Sequence, residues 1–217
     1  MYLSWDKKTT TNFSDENINT LYNGGYLFTR TNKGDMYQTR SLRIDLSKFK
    51  LNSENKRILK HTDNIVLEVV DIPYTNYHWG IHKLGKDFYA TKFGDKTFSA
   101  QKIKELITDP IKSNFNKLFI YRQKEDNLAI GYAICHETNN LLHYSYPFYD
   151  LNANINNLGI GMMTKAIVWA QEHNKKYVYL GSIKDEKAKY KLQFENMEWF
   201  DGKKWSTDLE KLKKAIK

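Results

Sequence analysis

The clearest chemical signal in this 217-residue sequence lies where a predicted strand gives way to a predicted helix, in Asn156-Asn157-Leu158-Gly159-Ile160-Gly161. Glycines let a ligand approach the backbone closely, and the N–H groups that open a helix bind anions. The pattern therefore predicts an anion-binding loop in which the amides of Gly159 and Gly161 face the ligand. A glycine-rich helix start that serves packing alone is the alternative interpretation.

A second set of chemically capable side chains ends the strand that leads into this loop. Residues 143–150 read His-Tyr-Ser-Tyr-Pro-Phe-Tyr-Asp. Ligands of open α/β sheets bind near strand ends of this kind. Asp150 could orient or deprotonate an attacking amine, and Tyr149 could donate a hydroxyl proton. The alternative is an aromatic core cluster in which Asp150 caps the following helix.

A third segment, residues 187–194, sets lysines around a tyrosine and reads Lys-Ala-Lys-Tyr-Lys-Leu-Gln-Phe. Basic side chains beside an aromatic ring are typical of surfaces that hold phosphates and stack on a base. The formal net charge of +9 also suits a polyanionic partner. A solvated lysine face on an exposed helix is the alternative interpretation of the same residues.

Several other classes of site lack support in the sequence. Cys135 is the one cysteine, so a disulfide framework or a cysteine-clustered metal site is excluded, and its mid-strand position predicts an inert buried thiol. His78 and His82 lie four residues apart without an evident third ligand, and we expect no metal. There is no nucleophile triad, P-loop or dinucleotide fingerprint. Because no apolar run is long enough for a membrane span or a signal peptide, we expect a cytoplasmic protein with no membrane partner.

The elements that must position these residues become regular from residue 63 onward. Residues 65–72 are β-branched and predict a buried strand. The predicted elements that follow are helices at 76–93 and 98–108, strands at 117–122, 128–136 and 141–150, a helix at 160–173, a strand at 177–180, a short basic helix at 186–194, a strand pair around residues 201–202 and a helical tail from residue 208. We interpret residues 1–62 as an N-terminal α+β elaboration packed on the core, and residues 63–217 as the main domain.

This order of elements is similar to that of a GNAT-type acyltransferase domain. The resemblance implies an α/β fold with a mixed, twisted sheet flanked by helices. GNAT enzymes hold the pyrophosphate of coenzyme A with a Gln/Arg-x-x-Gly-x-Gly loop at the strand-to-helix junction described above. Asn156 stands at the Gln/Arg position and departs from that pattern.

Four segments together resemble the aminoacyl-tRNA–protein transferases of the N-degron pathway, which are the arginyltransferases and their bacterial leucyl relatives. The segments are Gly25-Tyr-Leu-Phe28 with Arg40 to Ile44 and Lys56-Arg57-Ile58-Leu59, then Tyr146-Pro-Phe148-Tyr149-Asp150, then Leu158-Gly159 with Tyr177-Val-Tyr179-Leu180-Gly181, and finally residues 187–194. One departure is clear. The family's N-terminal cysteine cluster is missing, since residues 31–40 read Thr-Asn-Lys-Gly-Asp-Met-Tyr-Gln-Thr-Arg.

The resemblance implies transfer of an aminoacyl group from charged tRNA, the co-substrate, to the N-terminal α-amine of acceptor proteins with acidic N-termini. No further cofactor and no DNA partner are expected. The Tyr-Lys-x-Gln-Phe ending of residues 190–194 favours arginine as the donated residue, with leucine as the alternative. We place Asp150 and Tyr149 beside the amine and Gln193 near the ester. The expected tRNA contacts are Gly159, Gly161, Lys56, Arg57, Lys187, Lys189, Tyr190 and Lys191, and the expected acceptor contacts are Arg30 and Arg43.

Two other functions remain open at this point. The same glycine loop fits a GNAT N-acyltransferase that uses acetyl-CoA, for which coenzyme A but not tRNA would stabilise the protein. A non-catalytic RNA-binding module on a transferase fold would bind tRNA without transferring anything.

Overall fold

The computed structural model describes residues 4–216, with the side chain of Lys187 left out. The strands are β1 (Asp6–Thr9), β2 (Tyr26–Phe28), β3 (Asp35–Gln38), β4 (Ser41–Asp45), β5 (Ile65–Asp71), β6 (Lys117–Gln123), β7 (Ala129–Glu137), β8 (Leu141–Tyr149), β9 (Tyr177–Ser182), β10 (Met197–Phe200) and β11 (Trp205–Ser206). The helices are α1 (Asp15–Asn23), α2 (Ser53–His61), α3 (Trp79–Phe93), α4 (Ala100–Thr108), α5 (Leu158–Glu172) and α6 (Leu209–Ala215), together with a 3-10 helix at Glu186–Gln193.

An eight-stranded sheet in the order β11-β10-β4-β9-β8-β7-β6-β5 forms the centre of the molecule. Its one parallel pair is β8 with β9, and this ladder covers three residue pairs and ends at His143 opposite Tyr179. Beyond that point β8 continues along β7, while β9 continues along β4. The two neighbouring strands therefore diverge at the centre of the sheet, and we call the opening between them the β8–β9 cleft.

Strand β5 corrects one expectation from the sequence. Its β-branched run predicts a buried strand, but β5 is an edge strand of the sheet, and its partner among the described strands is β6. Val66 is 44% exposed, whereas its neighbour Ile65 is buried. The prediction was wrong because β-branched residues favour the strand backbone whether one face or both faces are covered.

Residues of the expected N-terminal elaboration enter the main sheet. Strand β4 lies between β9 and β10 and pairs antiparallel with both. A separate three-stranded sheet, in the order β1-β3-β2, is formed by residues of the same segment. The domain boundary expected between residues 62 and 63 stays a prediction, and the large sheet is built from both sides of it.

Helices cover both faces of the large sheet. Helix α5 lies on one face, where Met163, Ala166, Ile167 and Ala170 are buried at helical spacing, as the sequence predicts. Helices α1, α3 and α4 supply buried side chains to the other face. Truncating a side chain such as Ile167 to alanine would cost about 2–5 kcal/mol. Within residues 4–216, none of the helices combines the length and apolar character that a membrane crossing requires.

Candidate functional site

A cavity of about 290 Å³ lies where β8 ends and α5 begins, at the loop predicted from the sequence. It is lined by Tyr149, Asp150, Leu151, Asn154, Ile155, Asn156 and Leu158. Two asparagines bend the loop with positive φ angles, Asn154 at 51° and Asn157 at 63°. Asparagine tolerates this left-handed conformation better than other residues with a Cβ, which explains how the loop turns without more glycines.

Asp150 is held at the mouth of this cavity by its own backbone. Its N–H donates to the carbonyl of Ile130 at 2.8 Å, and its Oδ1 accepts from the N–H of Asn152 at 2.8 Å. Among the described residues, the second carboxylate oxygen, Oδ2, receives no hydrogen bond. The carboxylate is thus fixed in orientation while retaining an acceptor for a substrate.

Tyr149 stands beside Asp150 and is half-buried. Its ring centroid lies 4.7 Å from that of Phe88 on α3. Burial raises the pKa of Tyr149 above its usual value, so the phenol is neutral and able to donate a proton at physiological pH. A Cβ placed on Gly159 would lie 2.8 Å from Cε1 of this ring, and the absence of a side chain at Gly159 is what lets Tyr149 lie across the start of α5.

Gly161 does not have the ligand-facing role expected from the sequence. Helix α5 begins at Leu158, before the predicted start, and the N–H of Gly161 already donates to the carbonyl of Asn157 at 2.8 Å. A Cβ on Gly161 would lie 2.6 Å from Cγ2 of the buried Thr62. Gly161 therefore allows α5 to pack closely against the end of α2, which is the packing interpretation.

The 3-10 helix carries Gln193 and Tyr190, of which Tyr190 lies near Tyr149. Tyr190 is 50% exposed, yet burial of its hydroxyl and the nearby Tyr149 raise its pKa. Gln193 donates from Nε2 to the carbonyl of Tyr190 at 2.7 Å, and its own carbonyl accepts from Nδ2 of Asn52 at 2.9 Å. Tyr190 therefore lies near Tyr149, whereas the expected position of Gln193 near the ester stays a prediction.

Lys191 corrects another expectation, because it does not face solvent where a tRNA backbone would lie. Its ammonium donates to the carbonyl oxygens of Leu180 at 2.8 Å and Ser182 at 3.1 Å, both on β9. Burial lowers the pKa of Lys191 to about 8. A cation enclosed in this way is unavailable for phosphates at the surface. The pattern of lysines in residues 187–191 did not indicate which way the Lys191 side chain points.

The remaining basic residues of the predicted tRNA surface differ in how they are paired. Lys56 on α2 is exposed. Arg57 is exposed too, but it forms a two-bond ion pair with Glu54 at 2.6 and 2.7 Å, and Lys189 pairs with Glu186. The side chain of Lys187 lies outside the described part of the chain, so its expected contact stays a prediction.

Asn52 is a residue that the sequence analysis missed. Its Oδ1 caps α2 by accepting from the N–H of Asn55 at 2.8 Å, while its Nδ2 donates to the carbonyl of Gln193. One side chain thus joins the start of α2 to the end of the 3-10 helix. Lys56 and Lys189 consequently lie on adjoining elements. An asparagine just before a helix is a capping signal, but its second partner is visible only in the tertiary structure.

The two arginines expected to bind the acceptor are in different situations. Arg43 is 5% exposed and forms an ion pair with Glu198 at 2.5 Å. It also lies over the rings of Tyr177 and Trp205, at 4.1 and 4.2 Å. The acceptor role expected for Arg43 is therefore corrected to a structural one, since its charge is enclosed and neutralised.

Arg30 lies in a more accessible position beside the aromatic residues near β8. Its guanidinium donates to the carbonyl of Thr97 at 2.6 Å and covers the ring of Phe98 at 4.2 Å and that of Tyr146 at 5.7 Å. Tyr89 belongs to the same cluster, since burial and the hydroxyls of Tyr146 and Tyr190 raise its pKa while Arg30 lowers it. The sequence analysis did not single out Tyr89.

The other residues considered for chemistry form no centre. Cys135 is buried, and burial raises the pKa of its thiol. Nδ1 of His82 contacts the hydroxyl of Tyr77, and among residues 4–216 no group of three or more His, Cys, Asp or Glu side chains is arranged to hold a metal ion.

Solved structures similar to this chain define its fold class. L-PGS from Bacillus licheniformis aligns over 77% of this chain and 51% of its own, with 10% identity and a TM-score of 0.50. The GCN5-related glucosamine N-acetyltransferase region of a fungal multi-domain GH3 beta-N-acetylglucosaminidase covers 88% of this chain and 22% of its own, with 9% identity and a TM-score of 0.52. The protein has a GNAT-like α/β fold, as its order of elements predicts.

The sequence itself defines the family more narrowly. Residues 72–201 match the family model described as the C terminus of arginine-tRNA-protein transferase, and the chain belongs to this family of aminoacyl-tRNA–protein transferases. An aspartate/glutamate leucyltransferase of Saccharophagus degradans is 26% identical over 174 residues, which are 76% of this chain and 70% of that protein. A protein of the same name from Xylella fastidiosa is 37% identical over 78 residues, 35% of this chain and 31% of that protein.

Proposed function

We propose that this protein transfers an aminoacyl group from charged tRNA to the N-terminal α-amine of acceptor proteins that begin with aspartate or glutamate. The observation that carries the proposal is the pairing of Asp150 and Tyr149 at the cavity between β8 and α5, in a chain of this family. Charged tRNA is a cytoplasmic co-substrate, so we place the protein in the cytoplasm.

The reaction is aminolysis of an ester, and its two reactants need little chemical activation by the enzyme. The nitrogen of the acceptor forms a bond to the ester carbonyl carbon, the ester C–O bond breaks, and the terminal ribose oxygen of the tRNA leaves as a hydroxyl. An α-amino group has a pKa near 7.7–8.0 and is partly neutral at pH 7. Because orientation of two reactants can contribute about 7–11 kcal/mol, positioning supplies much of the rate, and neither a covalent intermediate nor a cofactor is needed.

The residues of the site take separate roles in this scheme. Asp150 accepts a hydrogen bond from the attacking amine through Oδ2, because its Oδ1 is already occupied by Asn152. The neutral phenol of Tyr149 donates a proton to the leaving oxygen and regains the proton that the attacking nitrogen loses as the amide forms. Gln193 lies near the ester. Gly159 keeps the space in which Tyr149 and the end of the tRNA meet.

The tRNA is held by basic residues of α2 and the 3-10 helix. Lys56, Arg57, Lys187 and Lys189 contact its phosphates, and Tyr190 stacks on a base of the 3′ end. Stacking of this kind contributes about 1–3 kcal/mol per base. The half-exposed ring and the buried hydroxyl of Tyr190 suit such a platform.

The acceptor peptide lies beside Arg30, whose guanidinium supplies a positive charge and is itself supported by the rings of Phe98 and Tyr146. The names of the curated relatives support leucine as the donated residue. The Tyr-Lys-x-Gln-Phe segment and the name of the family model support arginine. Both donors therefore belong in the assay.

The test is label transfer from radiolabelled leucyl-tRNA and arginyl-tRNA to peptides that begin with Asp, Glu or Gln. We expect transfer from one of the two tRNAs to the Asp and Glu peptides. Asp150→Asn should lower kcat/KM by about 10²-fold. Glu172→Gln, a change at an exposed carboxylate at the opposite end of α5 from the cavity, should not change it.

Absence of transfer from both tRNAs would overturn the proposal. Thermal stabilisation by coenzyme A but not by tRNA would then support an acetyl-CoA-dependent N-acyltransferase. Binding of tRNA without transfer to any peptide would support an RNA-binding module.

A further inference from the structure

The ammonium of Lys191 occupies an unusual position at the β8–β9 cleft. The ladder between β8 and β9 ends at His143 and Tyr179, and the next carbonyls of β9, those of Leu180 and Ser182, accept from Nζ of Lys191. Buried carbonyl groups need hydrogen-bond partners. Lys191 thus supplies, from a side chain, the partners that a neighbouring strand supplies elsewhere in the sheet.

Among the described residues, no carboxylate balances this charge. Among residues 4–216, Lys191 forms no ion pair, and its described hydrogen bonds go to those two backbone oxygens. An enclosed cation is costly unless its hydrogen bonds are good, and hydrogen bonds from a charged donor are roughly twice as strong as neutral ones. The arrangement is therefore a strong attachment of one particular segment, the 3-10 helix, to one particular strand.

The attached segment is one that needs support. A 3-10 helix has poorer hydrogen-bond geometry than an α-helix, and runs longer than three or four residues are uncommon. This one spans eight residues, Glu186–Gln193. Lys191 attaches this helix to carbonyl groups of β9. Asn52, just before α2, attaches it a second time by donating to the carbonyl of Gln193. Tyr190 directly precedes Lys191, the residue that makes the first of these attachments.

We propose that Lys191 is a positioning residue, which fixes the 3-10 helix to β9 and thereby holds Tyr190 in place beside Tyr149. The expected effect of Lys191 on tRNA binding rests on the proposed function, because Tyr190 is the proposed platform for the tRNA 3′ end. The attachment itself is a property of the fold, and it can be measured without tRNA.

The first experiment measures hydrogen–deuterium exchange of the backbone amides in Lys191→Met, with Lys184→Met as the matched control. Lys184 is exposed in the loop that precedes the 3-10 helix. We expect faster exchange across residues 186–193 in Lys191→Met and an unchanged pattern in Lys184→Met. Unchanged exchange of residues 186–193 in Lys191→Met would overturn the proposal, whether or not the protein transfers aminoacyl groups.

A second variant covers the case in which Lys191→Met does not fold. Lys191→Arg retains a cation, but the guanidinium is longer and holds its donors in a fixed plane, so it meets the two carbonyl groups from a different position than the ammonium does. Exchange of residues 186–193 should therefore increase in Lys191→Arg as well, by less than in Lys191→Met. A Lys191→Arg protein with the exchange of the unaltered protein would count against the proposal.

The second experiment links the attachment to the reaction. Tyr190→Ala, Lys191→Met and the double variant are compared for KM of aminoacyl-tRNA and for kcat. We expect each single change to raise KM by about tenfold, because a stacking contact is lost or misplaced. The double variant should be no worse than either single variant, since both changes act on the same side chain.

The outcomes separate the two proposals. If the effects on KM multiply in the double variant, Lys191 does not act through Tyr190 and the positioning role is wrong. If the unaltered protein transfers nothing from either tRNA, the proposed function fails, while the exchange result still decides whether Lys191 holds the 3-10 helix.

Discussion

Gly159 lies directly against the ring of Tyr149, and a Cβ on Gly159 would come within 2.8 Å of Cε1 and 3.0 Å of the hydroxyl oxygen. The contact joins the first turn of α5 to the last residue of β8. It sets the position of the phenol at the cavity, next to Asp150. A side chain at this position must therefore displace the group that we propose donates a proton.

The first prediction compares two glycine-to-alanine changes in the same helix. Gly159→Ala should lower the rate of aminoacyl transfer by about tenfold or more, because the Tyr149 hydroxyl moves and positioning supplies much of the rate. Gly161→Ala should instead destabilise the fold by about 1–3 kcal/mol, because its Cβ would lie 2.6 Å from Cγ2 of the buried Thr62. Urea unfolding and transfer kinetics on both variants provide the measurement. Full activity in Gly159→Ala would show that Tyr149 is not held by this contact.

The second prediction concerns the enclosed ion pair of Arg43 with Glu198. Arg43→Met leaves the Glu198 carboxylate, which is 21% exposed, without its partner. We expect a loss of about 3 kcal/mol of unfolding free energy, the lower end of the range for breaking a buried pair. Arg122→Met is the matched control, since its pair with Glu68 is more exposed and should contribute no more than about 1 kcal/mol.

The same Arg43→Met variant also tests the corrected role of this arginine. Once its folded fraction is accounted for, preference for Asp over Gln at the acceptor N-terminus should be unchanged, because Arg43 is enclosed by Tyr177 and Trp205. If Arg43→Met loses that preference, Arg43 does bind the acceptor and the structural assignment is wrong.

The third prediction is a loss of stability in mild acid, caused by two buried histidines. Burial lowers the pKa of His136 to about 4 and that of His143 to about 3. The unfolded chain takes up these protons below about pH 6.5, whereas the folded protein does not. The stability that they contribute is therefore complete above pH 6.5 and declines as the pH falls from 6.5 toward 4, by up to about 1.4 kcal/mol per pH unit for each histidine.

Urea unfolding between pH 6.5 and 5 checks this slope. His143→Phe should reduce it by up to half, although the variant loses the contact between Tyr22 and Nδ1 of His143. His61→Gln, a change at an exposed histidine, should retain the full slope. Equal slopes in the three proteins would contradict the assignment.

The fourth prediction separates exposed from enclosed lysines by the salt dependence of tRNA binding. Lys56→Gln should reduce the slope of log K against log salt by about 1, as expected for the loss of one phosphate contact. Arg57→Gln should reduce it by less, because Glu54 already neutralises part of its charge. Lys175→Gln should leave the slope unchanged, since its side chain is 8% exposed and its ammonium pairs with Glu137. Binding isotherms at four salt concentrations give the slopes.

Much of the architecture follows from local patterns in the sequence. The apolar spacing of α5, the hairpins that join β6, β7 and β8, and the strand end at Tyr149 and Asp150 were all predicted close to their observed limits. These features depend on residues a few positions apart, where side-chain period and turn chemistry act directly. The short strands β1 and β3 were missed, because four polar or mixed residues carry little periodic signal.

The position of β4 is the clearest case that local patterns could not decide. Its residues predict a strand, and nothing near them predicts pairing with β9 and β10. Arg43 and Glu198 are 155 positions apart in the sequence and form an ion pair because these strands adjoin. Strands so far apart in the sequence pair because the complete sheet buries its apolar faces under the helices on its two sides.

By itself the sequence determined the order of elements from residue 63 onward and the loop at Asn156–Gly161 with Asp150 and Tyr149 before it. It also determined the resemblance to the family that matches residues 72–201. Only the tertiary structure decided which charged residues face solvent. Lysine and arginine have the same chemistry wherever they occur, and a short motif does not reveal whether the chain will enclose them. The divergence of β8 from β9 left carbonyl groups to be satisfied, and that requirement turned Lys191 inward.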